Sequence, residues 1–475
     1  MDFDPERLEK LKILRENGFE PYGGKYEIDK QSIDIKKNFK ELENSNVKVA
    51  GRVIGKRDHG KLKFLDLADI TGNIQIYIRS GNLDKKSSEL VGYLDIGDII
   101  GVKGKVVKTQ TGEISVEAIE ITLLSKSLLP LPSKWYGLED TEKRYRKRYL
   151  DFIINTDSRE KIIKGSAIIA AIRNTLEKKG FIEVTVPLLN PIPGGANAKP
   201  FITHYNALDR DFYLKIASEL YLKRLLVGGF EKIFDISKDM RNEGIDTKHN
   251  PEFIMLELYQ AYGDITDMMS LTEELIKTSA KAVNGTYIAQ YAGNSIDLSK
   301  FSRKTMEEAV KDELGESNEK KLIEKAKSIE KKTSTYGEAL NILFEEYVEK
   351  KLIQPTFITD YPIEISPLAK TVKGDDRFTY RFELFIGGME ITNAFSELND
   401  PLEQIKRFEE EARRKERGID ETQEFDRDFI EAMGYGMPPA GGVGIGLERV
   451  QMILTDSKSI KDVIAFPQLR TLDEE

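Results

Sequence analysis

Phe234-Asp235-Ile236-Ser237-Lys238-Asp239-Met240-Arg241-Asn242-Glu243 runs into the loop Gly244-Ile245-Asp246-Thr247-Lys248 and on through His249 to Tyr262. It reads as strand, loop, strand. Side chains alternate across a strand with a period of two. On the second strand Ile254, Leu256 and Leu258 therefore share one face, that of an ordinary core. Phe253, Met255, Glu257 and Tyr259 share the other, placing an aromatic ring, a carboxylate and a phenol along one surface, which suits a polar pocket. Arg241, entering from the first strand, is a candidate fork for a phosphate or carboxylate. On these residues alone, a hairpin with a cross-strand Arg–Glu pair on a wet face fits as well.

Farther along, Arg381-Phe382-Glu383-Leu384-Phe385-Ile386-Gly387-Gly388-Met389-Glu390-Ile391 sets Gly-Gly between apolar runs, a two-residue hairpin signal. With that turn, Phe385 pairs with Glu390 and Glu383 with Thr392, so Glu383 and Glu390 lie diagonally on one face. Two carboxylates that close repel unless a cation or proton lies between them. Magnesium bridging substrate phosphates is one reading, two hydrated surface carboxylates the other. Asn393, Phe395 and Glu397 share a face, and strict alternation sets them opposite Glu390 unless a bulge intervenes. In Gly441-Gly442-Val443-Gly444-Ile445-Gly446-Leu447-Glu448-Arg449, the even-numbered glycines leave one strand face bare. A flat ligand such as adenine can lie there, or another element can pack closely. Arg449 follows near the start of a helix, a favourable place for an anion.

Toward the N-terminus the pattern changes. Residues 1–45 read as a charged helical arm. From 46 to 132, period-two runs such as Val47–Val53 and Asn73–Arg79, separated by Gly, Asp and Asn, predict a small antiparallel barrel, with the five-stranded oligonucleotide-binding (OB) type a candidate. Leu129-Pro130-Leu131-Pro132-Ser133 looks like the linker that closes it. Residues 133–475 form the rest. There Ile162–Lys179 predicts a helix stopped by Gly180, and Phe181–Val186 a strand stopped by Pro187. Residues from about 290 to 335, rich in Lys and Glu, read as a small helical insertion with a solvated face. Helices are also expected over Leu340–Lys351 and Leu402–Arg417.

Composition bounds the function classes. The 475 residues contain no cysteine, which excludes disulfides, thiolate zinc sites and a cysteine nucleophile. The opening MDFDPERLEK lacks the basic-then-apolar pattern of a signal peptide, and no apolar run nears the roughly 20 residues that span a bilayer, so a cytoplasmic protein with no membrane contact is the expectation. The net charge of -9 argues weakly against nucleic-acid binding. The basic run Lys143, Arg144, Arg146, Lys147, Arg148 reads more readily as a solvated surface than as a phosphate patch. There is no P-loop and no G-x-G-x-x-G fingerprint after a strand.

Taken in order, these stretches resemble the motifs of class II aminoacyl-tRNA synthetases. Gly180-Phe181-Ile182-Glu183-Val184 to Pro187 is similar to the first, which builds that family's dimer interface. Arg241-Asn242-Glu243 with His249, Phe253 and Glu257 is similar to the second, and Gly442 to Arg449 to the third. Pro193-Gly194-Gly195-Ala196, Glu219–Arg224, Arg241–Tyr259 and Phe395–Asn399 resemble the lysyl subgroup, and the barrel its anticodon-binding domain through Arg52, Phe64 and Gln75. The resemblance implies an α+β protein, an OB-type barrel followed by an antiparallel catalytic sheet with flanking helices. It implies a homodimer that uses Mg2+ and ATP, activates L-lysine to the adenylate with release of pyrophosphate, and passes it to the 3′ end of tRNA(Lys).

The resemblance also assigns roles. Arg241 grips the α-phosphate and the substrate carboxylate, and Phe253 and Arg449 sandwich adenine. Glu243, His249 and Asn250 contact ATP, and Glu383 and Glu390 hold magnesium. Gly195 and Glu219 meet the α-amine of lysine. Glu257, Tyr259 and Glu397 meet the ε-amine, and Asn393 and Phe395 line the same pocket. Three rivals are weaker. A stand-alone lysine ligase acting on proteins lacks the barrel. An aspartyl or asparaginyl enzyme wants basic pocket partners, where this chain offers Glu219, Glu257 and Glu397. An inactive paralogue does not need Arg241, Glu383, Glu390 and Arg449.

Overall fold

The computed structural model describes residues 3–60, 62–79, 81–132, 140–416 and 424–470. The linker residue Ser133 and the last expected helical residue, Arg417, lie outside them. Contacts divide the chain into two compact units, Met1–Glu139 and Asp140–Glu475.

In the first unit, β1 (Asn46–His59), β2 (Leu62–Ala68), β3 (Asn73–Arg79), β4 (Ile99–Lys108) and β5 (Ile114–Ser125) form a closed barrel in the order β1-β2-β3-β5-β4. Its interior is the alternate set predicted by period two: Val49, Val53, Leu65, Leu67, Ile74 and Ile76 are buried. Pairing is antiparallel except between β3 and β5, which run parallel. Gly51 permits the tight coil of β1, since a Cβ there would come within 2.3 Å of the Ala68 carbonyl oxygen. The expected N-terminal arm is not free-standing. Its helices, Pro5–Glu16, Ser32–Lys37 and Phe39–Leu42, bury Leu14 and Ile35 in the barrel's apolar cluster. A charged helix still needs somewhere to bury its few apolar side chains.

The second unit is built on one nine-stranded sheet. Its strands are β6 (Ile182–Glu183), β7 (Lys232–Met240), β8 (Glu252–Ala261), β9 (Ser302–Thr305), β10 (Thr356–Pro362), β11 (Asp375–Ile386), β12 (Met389–Ser396) and β13 (Ala440–Gly446), with Thr371–Val372 added beside β11. They lie in the order β9-β10-β11-β12-β13-β8-β7-β6. The sheet is antiparallel at its centre, but the outer pairs β9–β10 and β6–β7 are parallel, a departure from the purely antiparallel expectation. Helices α1 (Thr156–Lys178), α3 (Ile265–Asn284) and α4 (Leu447–Leu454) cover one face. Ile168, Ile172, Leu176, Met268, Leu275 and Val450 pack there on Phe234, Leu256, Leu258, Leu384 and Val443. The other face keeps its polar side chains. Helix α2 (Glu219–Val227) borders it.

Local signals set most boundaries. Gly180 takes φ +82 just past α1, the left-handed ending that glycine adopts without strain. The strand expected over Phe181–Val186 shrinks to Ile182–Glu183. The insertion's helices are Met306–Leu314, Glu319–Ile329 and Tyr336–Tyr347, so its helical part begins and ends later than about 290–335. Residues Ile288–Tyr291 and Asn294–Asp297 form a separate two-stranded sheet. Thr335 and Glu338 form a capping box that starts the third helix before Leu340. The basic run near residue 145 is not wholly solvated. Arg148 is buried and pairs with Asp151 at 2.5 Å, and Asp151 also binds Arg144.

Candidate active site

The polar face of β8 forms one wall of a cavity lined by Phe253, Met255, Glu257 and Tyr259, as alternation predicted. The register Asp239↔Phe253 and Asp235↔Glu257 brings β7 alongside, and Arg241 follows directly after it. The Arg241 guanidinium lies 5.2 Å from the centroid of the Phe253 ring, and its Nε makes no hydrogen bond among the described residues. A cation over an aromatic face is a favourable but displaceable arrangement. Glu243, His249 and Asn250 line the cavity from the loop. Asn250 is already engaged, its Nδ2 donating to the Glu252 carbonyl at 2.7 Å.

On the opposite wall, Arg449 near the start of α4 donates through Nη1 to the Glu390 carbonyl at 2.8 Å and the Glu390 carboxylate at 3.1 Å. Its Nη2 lies 3.3 Å from His249 Nε2, while His249 Nδ1 faces Asp246 at 2.8 Å.

The β11–β12 hairpin turns at Gly387 and Gly388, both at positive φ, and pairs Phe385 with Glu390 as expected. The next expected pair is corrected: Glu383 faces Asn393, and Leu384 faces Thr392, because the register slips between Leu384 and Phe385. That slip is the bulge alternation required. It brings Asn393 and Phe395 to the same cavity as Glu390. Glu383 does not line the cavity. It sits behind, accepting hydrogen bonds from Tyr361 at 2.8 Å and Arg381 at 2.6 Å. Burial, followed by the charge of Glu390, pushes its carboxyl up to about 7.

The glycine strand also needs a correction. At Gly442 a Cβ would meet Glu397 Oε1 at 2.3 Å and the Tyr259 ring at 2.4 Å, so the bare backbone there makes room for protein side chains. Only Gly444 and Gly446, whose nearest neighbours are 3.7 and 3.8 Å away, leave open floor for a flat ligand.

At the inner end, Glu219 opens helix α2 against Gly195, which has φ +88 and would set a Cβ 3.1 Å from that of Glu219. Glu257 Oε1 accepts from the Ser218 backbone N–H at 2.9 Å. Its Oε2, and Oε1 of Glu397, accept no hydrogen bond among the described residues. Burial, with Asp239 and Glu219 nearby, pushes Glu257 well above the usual carboxylate range. Burial, opposed by Lys223 and aided by Glu219, pushes Glu397 up to about 8. The inner end therefore offers two carboxylate oxygens, Glu257 Oε2 and Glu397 Oε1, to an incoming cation. Glu397 does not line the cavity but lies behind Gly442.

Three residues outside the predicted set take part. Lys223 bridges Glu219 and Glu397 at 2.6 and 2.5 Å. Arg381 braces Glu383 and Asn393, and its parity with Glu383 on one strand was the available signal. Glu448 uses both carboxylate oxygens to accept the Ile254 N–H at 2.9 Å, which pins α4 to β8.

The barrel's outer face carries the other predicted residues. Phe64 stacks on Tyr77 at 5.4 Å, with His59 edge-on at 6.1 Å. Gln75 accepts from Ser115 Oγ at 2.9 Å, and Arg52 donates to the Gly97 carbonyl at 2.7 Å. Tyr77, with Arg79 5.4 Å from its ring, was not singled out, although its alternation with Ile76 gave the signal.

Comparison with known proteins defines the class. Residues 140–470 match the family model for tRNA synthetases class II (D, K and N), and residues 47–124 the OB-fold nucleic acid binding domain. Similar proteins include a lysine–tRNA ligase of Pelotomaculum thermopropionicum, 54% identical over 98% of this chain and 94% of that protein. Those of Moorella thermoacetica and Carboxydothermus hydrogenoformans are each 52% identical, covering 98% of both chains. The chain belongs to the lysine–tRNA ligase family of the class II tRNA synthetases. No helix among the described residues is long and apolar enough to cross a membrane.

Proposed function

We propose that this chain activates L-lysine with ATP and esterifies it to the 3′ end of tRNA(Lys). The observation that carries the reading is the acidic inner end of the cavity, lined by Glu219 and Glu257 with Glu397 buried behind Gly442, where Glu257 Oε2 and Glu397 Oε1 accept no hydrogen bond among the described residues. An amino acid bringing a second ammonium supplies what they lack. A buried charge is costly until an opposite charge meets it.

In this reading Glu219 and the Gly195 turn receive the α-amine. Glu257, Glu397 and Tyr259 receive the ε-amine, and Asn393 and Phe395 flank the aliphatic chain. Adenine lies between Phe253 and Arg449 over the open floor at Gly444 and Gly446, with Arg241 turning from Phe253 to the α-phosphate and substrate carboxylate. Glu243, His249 and Asn250 contact the nucleotide. The lysine carboxylate then attacks the α-phosphorus in line and pyrophosphate leaves. Arg241 and Arg449 place positive charge where negative charge accumulates. A ribose hydroxyl of the tRNA attacks the adenylate carbonyl, giving the lysyl ester and AMP.

We assign Mg2+ to Glu390, which lines the cavity, and to Glu383 behind it, whose oxygens would first have to release Tyr361 and Arg381. The mutual repulsion of the two carboxylates helps raise Glu383 to about 7, which a divalent cation would relieve, and hard oxygen donors are the ligands magnesium takes. When bound, the ion would neutralise the phosphates. On the barrel, we assign anticodon contact to the face bearing Arg52, Phe64 and Gln75, where the Phe64–Tyr77 pair offers a stacking surface. We assign a homodimer through the segment around residue 182, where Ile182, Leu188, Leu189 and Ile202 are exposed apolar side chains. The cytoplasm, where tRNA, ATP and lysine meet, is the assigned compartment.

ATP–pyrophosphate exchange measured with each of the twenty amino acids tests the reading. Lysine should support exchange far above the others. Aspartate or asparagine dependence would replace it.

A further inference from the structure

The acidic end of the cavity depends on a side chain that does not line the cavity. Lys223 is fully buried on α2, one turn beyond Glu219. Its Nζ lies 2.6 Å from Glu219 Oε1 and 2.5 Å from Glu397 Oε2. These carboxylates belong to different elements, Glu219 to the start of α2 and Glu397 to the segment just past β12. The neighbouring inward positions of α2, Leu220, Leu222 and Leu226, are apolar, so packing alone gives no reason for a cation here. An ammonium taken wholly out of water is retained only where anions meet it. Burial works against the charge of Lys223, yet Glu219 and Glu397 outweigh it and hold its ammonium above the usual lysine range.

The geometry does two things at once. It occupies one oxygen of Glu397 and leaves Oε1, which accepts no hydrogen bond among the described residues, over the backbone of Gly442, a residue of the cavity wall. It also fastens Glu397 to Glu219 through a single atom. If Glu219 receives the α-amine and Glu397 the side-chain ammonium, the spacing of those two subsites is set by this bridge. Tyr259 closes the same corner from β8, its ring beside Glu397 at Gly442.

We propose that Lys223 is a positioning residue for substrate length: its buried ammonium ties the α-amine carboxylate to the side-chain carboxylate and so fixes which diamino acid fits. The proposal rests on the assignments of Glu219 and Glu397 made above. Lysine and its homologue one methylene shorter, ornithine, differ only in the distance between their two ammonium groups. One methylene is worth roughly 10- to 200-fold in discrimination where a pocket is shaped to it. With the bridge removed, Glu397 is free to move relative to Glu219 and that discrimination relaxes.

The test is ATP–pyrophosphate exchange by the full chain carrying Lys223→Met, which keeps length and drops charge, and Lys223→Gln, which keeps a hydrogen-bond donor. Lysine, ornithine and ATP are varied in turn. The expected result is a KM for lysine raised about tenfold or more, an unchanged KM for ATP, and a lysine-to-ornithine preference reduced by about tenfold. An unchanged preference overturns the proposal. So does a fall in melting temperature with parallel losses for lysine and ATP in both variants, which would make Lys223 a purely structural residue. Glu219→Gln and Glu397→Gln separate this from the pocket assignment. If they raise the KM for lysine while the Lys223 variants keep the preference, only the role of Lys223 fails. If they leave the KM for lysine unchanged, the assignment itself fails.

Discussion

Replacing Glu257 or Glu397 by glutamine removes a group that can become a carboxylate opposite an incoming ammonium, and almost no volume. Glu257 is held by the Ser218 N–H through one oxygen, and its other oxygen is unmatched. Glu397 is wholly buried, with Lys223 on one oxygen. Removing one member of a buried hydrogen-bonded charge pair costs about 2–5 kcal/mol. Part of that is already spent: with Glu397 at about 8, ionising it at neutral pH costs roughly one unit, or ~1.4 kcal/mol. The net loss expected for Glu397→Gln is therefore ~0.6–3.6 kcal/mol, about threefold to 400-fold in lysine affinity. The assay is steady-state ATP–pyrophosphate exchange with lysine and ATP varied separately. A large rise in the KM for lysine with an almost constant KM for ATP is expected for both variants. Equal losses for the two substrates would show structural roles, and unchanged lysine affinity would remove these residues from the ε-amine site.

Lysine binding should depend on pH in a defined direction. Because Glu397 is raised to about 8 in the empty pocket, it holds a proton at neutral pH that an incoming ammonium must displace, and burial shifts Glu257 in the same direction. The KM for lysine should fall as pH rises toward about 8 and level off above it; a flat profile across that range would contradict the assignment. Glu390→Gln should raise the magnesium concentration needed for half-maximal activation without lowering the melting temperature, since it removes a charge that repels Glu383. An unchanged magnesium titration would exclude Glu390 as a ligand. Phe64→Ala should weaken tRNA charging by ~1–3 kcal/mol and leave pyrophosphate exchange intact, because Leu65 and Leu67 form that strand's core side. Equal loss of both activities would place Phe64 in a structural role.

The strands of the site were legible because period-two alternation needs no partner to be recognised. Phe253, Met255, Glu257 and Tyr259 were separable from Leu256 and Leu258 on that basis, and the barrel interior likewise. Features that depend on distant partners were not. The slip between Leu384 and Phe385 shifts Glu383 from Thr392 to Asn393, and alternation showed only that some bulge was needed, not where. Gly442 looked like ligand floor because the residues filling its space, Tyr259 and Glu397, come from other strands. Lys223 sat in a helix as an ordinary surface type, and only the fold sets it between Glu219 and Glu397. Arg148 was misread for the same reason, its partner Asp151 being one helical turn away but its burial a tertiary fact.

The most direct test of the central claim is charging of tRNA(Lys) transcript by the purified chain with ATP, magnesium and labelled lysine. A base-labile lysyl ester at the 3′ end, formed with stoichiometric AMP and pyrophosphate, is the predicted result. Lysine-dependent pyrophosphate exchange with no label on the tRNA would contradict it.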